Sequence, residues 1–145
     1  MIELPKLEDF PSKDYDKLRY SDMDNLGHIN NAVFTTLLET GRTSLLNHPS
    51  IDAWRHEQYT YVIARLEVDY RAELRWPGLV HVGTGVKSVG KSSIVLVQAL
   101  FMDDVCVATA QCVMVQVGKT SHKPEPIGEE TRAVLEGLPL KGASA

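Results

Sequence analysis

Cysteine is scarce in this chain, with Cys106 and Cys112 alone among 145 residues. Both fall in one strand-patterned run, and six residues of extended backbone would hold their Cα atoms about 20 Å apart. They therefore cannot bridge each other. With no histidine at ligand spacing beside them they make no zinc site either, and burial as small apolar side chains is their expected role. Long apolar runs are missing too. The opening Met1-Ile2-Glu3-Leu4-Pro5-Lys6 lacks the apolar core of a secretory signal, and no uncharged stretch approaches a membrane span. A soluble, cytoplasmic protein with no membrane partner is expected. Basic runs are also absent: 15 Lys and Arg against 19 Asp and Glu leave a net charge of -4, which argues against nucleic acid as a partner. Internal repeats and low-complexity segments are lacking.

What is present suffices for a sizeable core. A hydrophobic content of 43% over this length predicts one domain spanning 1–145. Residues 1–13, with Pro5 and Pro11 and little periodicity, are expected to form an extended arm. Residues 118–145 are expected to be a polar, proline-containing tail with a short helix over 127–138.

The chemistry concentrates in residues 22–31, Asp-Met-Asp-Asn-Leu-Gly-His-Ile-Asn-Asn. Immediately after them Phe34, Leu37, Leu38, Gly41 and Leu45 recur at three- and four-residue steps, the apolar stripe of a helix over 31–46. Asn30 or Asn31 is the natural N-cap. Its side chain would satisfy one of the first free backbone donors, leaving others and the positive end of the helix dipole for an anion. Asp24 can attack a carbonyl or hold a water for attack, and donors at the helix start can stabilise the oxyanion that forms. Gly27 tolerates the positive φ that such a tight loop needs. The same residues also suit a plain cap and solvated turn. Glu39 and Arg42, three apart, are expected to pair or to pack along the helix.

The period then changes. Residues 50–60 read as a connector, with Trp54, His56 and Tyr59, that packs or covers a pocket. A long half-buried strand is expected over 61–75, with Val62, Leu66, Val68, Tyr70, Ala72 and Leu74 on its apolar face, and Trp76-Pro77-Gly78 turning the chain. Further strands are expected over 79–89, 93–102 and 105–117, the middle pair joined at Gly90-Lys91-Ser92 and the last pair at Asp103-Asp104. The last strand carries Ala108, Ala110, Cys112 and Met114 on one face and Val107, Thr109, Val113 and Val115 on the other; small residues on one face are what a closely packed helix requires. A short first strand is expected over 15–20. One helix followed by long antiparallel strands is α+β, with the long helix along a curved antiparallel sheet. One helix cannot cover so long a sheet, so a homodimer or homotetramer is expected.

Residues 22–31, followed by Ala32-Val33-Phe34 and Glu39-Thr40-Gly41-Arg42, resemble the hotdog-fold acyl-CoA thioesterases of the 4-hydroxybenzoyl-CoA thioesterase-like group, whose motif reads approximately D-x-D-x-x-G-H-x-N-N. The order of helix, hinge, four long strands and proline-containing tail extends the likeness over nearly the whole chain. The resemblance implies a hotdog fold, active sites at the subunit interface, catalysis by Asp24 and polarisation of the thioester carbonyl by the backbone amide of Asn31. Coenzyme A (CoA) would then be part of the substrate, with no separate cofactor.

Three functions are compatible with these residues. In a thioesterase acting on acyl-CoA or another acyl thioester, Asp24 is nucleophile or general base. His28 there either positions substrate or water or merely bonds nearby backbone. Lys87, Lys91, Ser92 and Ser93 would contact the CoA phosphates, unless they are ordinary surface side chains. A hotdog enoyl-thioester hydratase or dehydratase would use His28 and Glu39 as its acid/base pair, but its histidine sits in a glycine- and proline-rich loop that this chain lacks. A non-catalytic acyl-CoA-binding module would not require a carboxylate at Asp24.

Overall fold

The structure, a computed structural model, describes residues 3–47 and 58–142. Trp54 and His56, with residues 50–57 of the expected connector, lie outside the described residues. Among the described residues five strands form one antiparallel sheet: β1 (Ser12–Lys17), β2 (Tyr59–Tyr70), β3 (Leu79–Val89), β4 (Ser93–Met102) and β5 (Val105–Gly118), in the order β1-β3-β4-β5-β2. Helix α1 (Asn31–Leu46) crosses β1, β3 and β4, and a short helix α2 (Glu129–Glu136) packs near β3. Neither is long and apolar enough to cross a membrane.

The stripe expected on α1 is the face it buries. Phe34, Leu37 and Leu38 join Val82, Leu100, Val107 and Ala108 in one apolar cluster, while Leu45 and Leu46 join Leu96, Cys112 and Leu135 in another. Each Leu, Val or Phe side chain so removed from water contributes about 1.5–3 kcal/mol. Gly41 explains itself here. A Cβ at this position would lie 2.5 Å from Val82 Cγ2 and 2.6 Å from Thr84 Oγ1, so only glycine lets the helix backbone come this close to β3. Beside it Gln98 Nε2 donates to Leu38 C=O and to Thr84 Oγ1, both at 2.9 Å, tying helix and sheet together through a buried amide.

The opposite face of the sheet is covered by the arm that precedes β1 and the tail that follows α2. Phe10 stacks edge-on to Phe101 over Ala99 and occupies the space that a side chain on Gly83 would need. Leu140 belongs to the same cluster, and Lys141 N–H donates to Asp9 C=O at 2.9 Å.

Several expectations from sequence need correction. The first strand is Ser12–Lys17, not 15–20, because it pairs with β3 from Ser12↔Thr84 to Lys17↔Leu79 despite having no apolar alternation. Strand β2 ends at Tyr70, since Arg71 and Ala72 both donate to the single carbonyl of Val107 and the chain turns out of register. At that same place β5 carries an irregularity between the pairs at Leu100 and Phe101, and Val107 joins the α1-side cluster instead of the far face. Arg42 does not pair with Glu39. It is only 3% exposed and donates to Gln98 Oε1 at 3.3 Å, while Glu39 stays exposed.

Candidate active site

Residues 20–31 fold as a chain of local hydrogen bonds that explains their order. A 3₁₀ turn at Tyr20–Asp22 buries Asp22, whose carboxylate accepts from the Arg19 backbone at 2.8 Å and the Arg19 guanidinium at 2.9 Å. Its carbonyl accepts from Asn30 N–H at 2.9 Å. The first aspartate of the motif is therefore a structural pin. Asp24 begins a second turn: its Oδ1 accepts from the backbone N–H of Leu26 at 2.9 Å and of His28 at 3.1 Å, and its own N–H donates to His28 C=O at 2.7 Å. Gly27 closes this turn at φ +82°, with nothing within 4 Å of where a Cβ would lie. Backbone conformation, not crowding, selects glycine there.

Asn30 caps α1, its side chain accepting from Ala32 N–H at 2.9 Å and its carbonyl from Val33 N–H at 2.9 Å. The N–H of Asn31, the first helical residue, has no hydrogen-bond partner among the described residues. Asp24 Oδ2 has none either. Both residues line one open cleft of about 420 Å³, with His28, Phe34 and the segment Tyr70–Leu74 as its other walls. A carboxylate with one uncommitted oxygen and a helix N-terminus with one uncommitted amide thus belong to residues that line one cleft, and a donor at the positive end of a helix is a group that can stabilise an oxyanion.

The second wall comes from a segment whose contribution was not legible in the motif. Ile29 N–H donates to Leu74 C=O at 3.2 Å, which holds residues 71–74 against the loop. Phe34 and Tyr70 meet edge-on inside the cleft. Glu73 Oε1 lies 3.5 Å from His28 Nε2. Arg71, although its residue lines the cleft, sends its Nε to Thr109 Oγ1 at 2.9 Å. The charged alternation over 65–75 was the available signal, but it reads as a solvated strand face until the strand is seen to end at Tyr70.

The remaining candidates lie elsewhere in a single chain. Lys91 and Ser92 occupy the β3–β4 turn, where Lys91 C=O accepts from Ile127 N–H and Ser92 C=O from Gln116 N–H. Ser93 starts β4 opposite Val115, whereas the cleft lies beside Ala108, so about 23 Å of strand separates them. Lys87 is committed to Gln111 Oε1 at 3.0 Å. Glu39, on exposed helix surface, is about 12 Å along α1 from Asn31 and does not line the cleft. His28 and Glu39 are therefore not brought together. Burial pushes the thiol of Cys112 up, against the opposing charge of Arg42, and pushes Cys106 up against Arg71. Among the described residues no group of three or more His, Cys, Asp and Glu side chains could hold a metal ion.

Residues 18–135 match the family model of the thioesterase-like superfamily. The chain belongs to this superfamily. A thioesterase from Thermus thermophilus, complexed with coenzyme A and Zn, shares 30% identity with this thioesterase-like chain over 95% of it and 99% of its own length, at a TM-score of 0.80. A protein described as a predicted thioesterase from Bacillus stearothermophilus shares 27% identity over 91% and 98% of the two chains, also at 0.80. A Pseudomonas aeruginosa PAO1 protein, at 24% identity over 96% and 99%, superposes at 0.85 and shows the fold alone. Comparison with curated proteins gives no match. The fold is the hotdog fold, and the reaction class of this thioesterase-like chain is thioester hydrolysis.

Proposed function

We propose that this protein is an acyl-CoA thioesterase of the 4-hydroxybenzoyl-CoA thioesterase-like kind, with Asp24 as its reacting carboxylate and Asn31 N–H as its oxyanion donor. One observation carries the reading: Asp24 and Asn31, whose Oδ2 and backbone amide have no partner among the described residues, line the same cleft. The thioester carbonyl oxygen accepts from Asn31 N–H at the helix start, and Asp24 acts on the carbonyl carbon. As nucleophile, Asp24 forms an anhydride while the C–S bond breaks and CoA leaves as thiolate; water then hydrolyses the anhydride and returns the carboxylate. As general base, Asp24 takes a proton from the water that attacks, and the C–S bond breaks as the tetrahedral oxyanion collapses. In both routes the negative charge grows beside the Asn31 amide. The coenzyme A bound by the Thermus thermophilus relative supports CoA as the thiol carrier.

A second subunit fits the same reading. Among the described residues β2 lies at the edge of the sheet, with Val62 and Ile63 each 46% exposed and Tyr70 50% exposed, apolar surface that calls for cover. Antiparallel pairing of two β2 strands would place the Gly90–Ser93 end of one protomer at the same end of the joint sheet as the Asp24 cleft of its partner. In that assembly Lys87, Lys91, Ser92 and Ser93 would serve the CoA phosphates across the interface, and light scattering would report the dimer or tetramer.

The test is release of free thiol from short, long and aromatic acyl-CoAs by the native protein and by Asp24→Asn. Asparagine keeps an oxygen for the Leu26 and His28 amides, so the loop should stand while turnover falls by about three orders of magnitude. Equal turnover in the two proteins would sink the assignment. Tight binding without thiol release would make the protein an acyl-CoA-binding module, and water addition to enoyl thioesters would favour the hydratase.

A further inference from the structure

The motif leaves His28 with its backbone fully committed and its ring unexplained. Its N–H donates to Asp24 Oδ1, and its carbonyl accepts from Asp24 N–H. The imidazole therefore projects from a fixed main chain. Across the cleft its Nε2 lies 3.5 Å from Oε1 of Glu73, a residue 45 positions away on the segment that follows β2. This approach is held by more than two flexible side chains. The neighbouring residues are hydrogen-bonded to each other, Ile29 N–H to Leu74 C=O at 3.2 Å, and the other oxygen of Glu73 accepts from Arg75 at 2.8 Å. Arg75 thus orients the carboxylate, and the carboxylate faces the ring.

We propose that Glu73 is a positioning residue for His28: it accepts the Nε2 proton, fixes the neutral ring in that tautomer and leaves Nδ1 as the acceptor for the water or thioester group brought to Asp24. A neutral imidazole carries one proton, and a carboxylate oxygen beside one nitrogen decides where it sits. The separation is long for a hydrogen bond, as such contacts often are before substrate arrives. The charged groups around the ring are Asp24 on its own loop, Glu73 and Arg75 on the facing segment, and the Arg71 residue in the same wall, whose guanidinium is turned toward Thr109. The kinetic part of this inference rests on the thioesterase reading. The tautomer part does not.

The experiment is nitrogen NMR of histidine-labelled protein, with His28→Gln used to assign the ring, run beside acyl-CoA hydrolysis. In native protein and in Glu73→Gln, whose amide oxygen still accepts, His28 should show an Nε2–H tautomer and a persistent, downfield ring proton. In Glu73→Ala that proton should vanish into exchange with water, and kcat should fall roughly tenfold with KM unmoved, a fraction of what a general acid–base group contributes. His28→Ala and the double variant His28→Ala/Glu73→Ala should be equally slow, because Glu73 acts only through the ring. An unchanged His28 ring signal in Glu73→Ala, or a double variant slower than His28→Ala, would overturn the proposal. A native protein that shows the tautomer but releases no thiol from any acyl-CoA would overturn the thioesterase reading alone.

Discussion

Tyr70 meets Phe34 edge-on, ring centroids 5.1 Å apart and planes at 70°, so the last residue of β2 and the first buried turn of α1 together wall the cleft beside Asp24. Phe34 is 2% exposed and belongs to the core, whereas Tyr70 is 50% exposed and can be shortened without opening it. Tyr70→Ala should move preference toward bulkier acyl groups, raising their kcat/KM relative to short chains by roughly tenfold. Loss of the ring pair should cost about 1 kcal/mol of stability. A panel of acyl-CoAs of graded size checks the first number, and urea unfolding the second.

Gly27 tests whether the Asp24 turn matters through its backbone. Nothing crowds the position, so Gly27→Ala meets no clash and suffers only from its φ of +82°. The expected cost is about 1–2 kcal/mol. Because relief of that strain pulls the Leu26 and His28 amides from the Asp24 carboxylate, activity should fall well before stability becomes limiting at assay temperature. Activity and melting temperature measured on one preparation separate the two effects.

At Gly41 the reverse holds. Alanine suits a helix better than glycine by about 1 kcal/mol, yet its methyl would press into Val82, Thr84 and Gln98 of the sheet. Overpacking of about 1–3 kcal/mol should prevail, and Gly41→Ala should unfold at lower urea than the native protein. A midpoint at or above native would mean that helix and sheet separate more easily than their hydrogen bonds through Gln98 suggest.

Tyr61 supplies a pH dependence of known sign. Burial pushes its hydroxyl up to about 12 from the usual 10, while the hydroxyl donates to Gln116 Oε1 at 2.8 Å. The folded state therefore holds this proton more tightly than the unfolded chain. Its contribution to stability is complete below pH 10 and is lost as pH rises toward 12. Tyrosinate absorbance should show one of the five tyrosines ionising late, and Tyr61→Phe should remove that late step.

The two thiols should react in a fixed order. Cys112 is buried and Cys106 partly exposed, and burial raises both toward the protonated, unreactive form. At neutral pH a thiol reagent should modify Cys106 slowly and Cys112 only on unfolding, as peptide mapping would show.

Local rules were enough for α1, whose start, apolar stripe and cap are written in residues 30–46. They were enough too for β3, β4 and β5, which sit between strong turn residues. They failed where pairing overrides pattern. Ser12–Lys17 has no alternation to read, and its place is given by β3. The end of β2 is decided by the carbonyl of Val107, some 36 residues further on. The residues lining the cleft divide along the same line: Asp24, His28 and Asn31 are neighbours in sequence, whereas Tyr70 and Glu73 reach it only because a distant strand turns the chain there. The choice between pairing and packing for Arg42 was undecided for a related reason, since its spacing from Glu39 allows either and only the buried Gln98 draws it inward.

The arm before β1 and the tail after α2, joined through Lys141 and Asp9 and seated over Gly83 and Gly85, behave as a buckle on the back of the sheet. Phe10 cannot lift off Phe101 without loosening the tail beside it, and Leu138 cannot release Val86 N–H, which it holds at 2.8 Å, without freeing the arm. Arm and tail should therefore open as one cooperative unit, with the amides of Val86 and Lys141 exchanging their hydrogens together and ahead of those in β4.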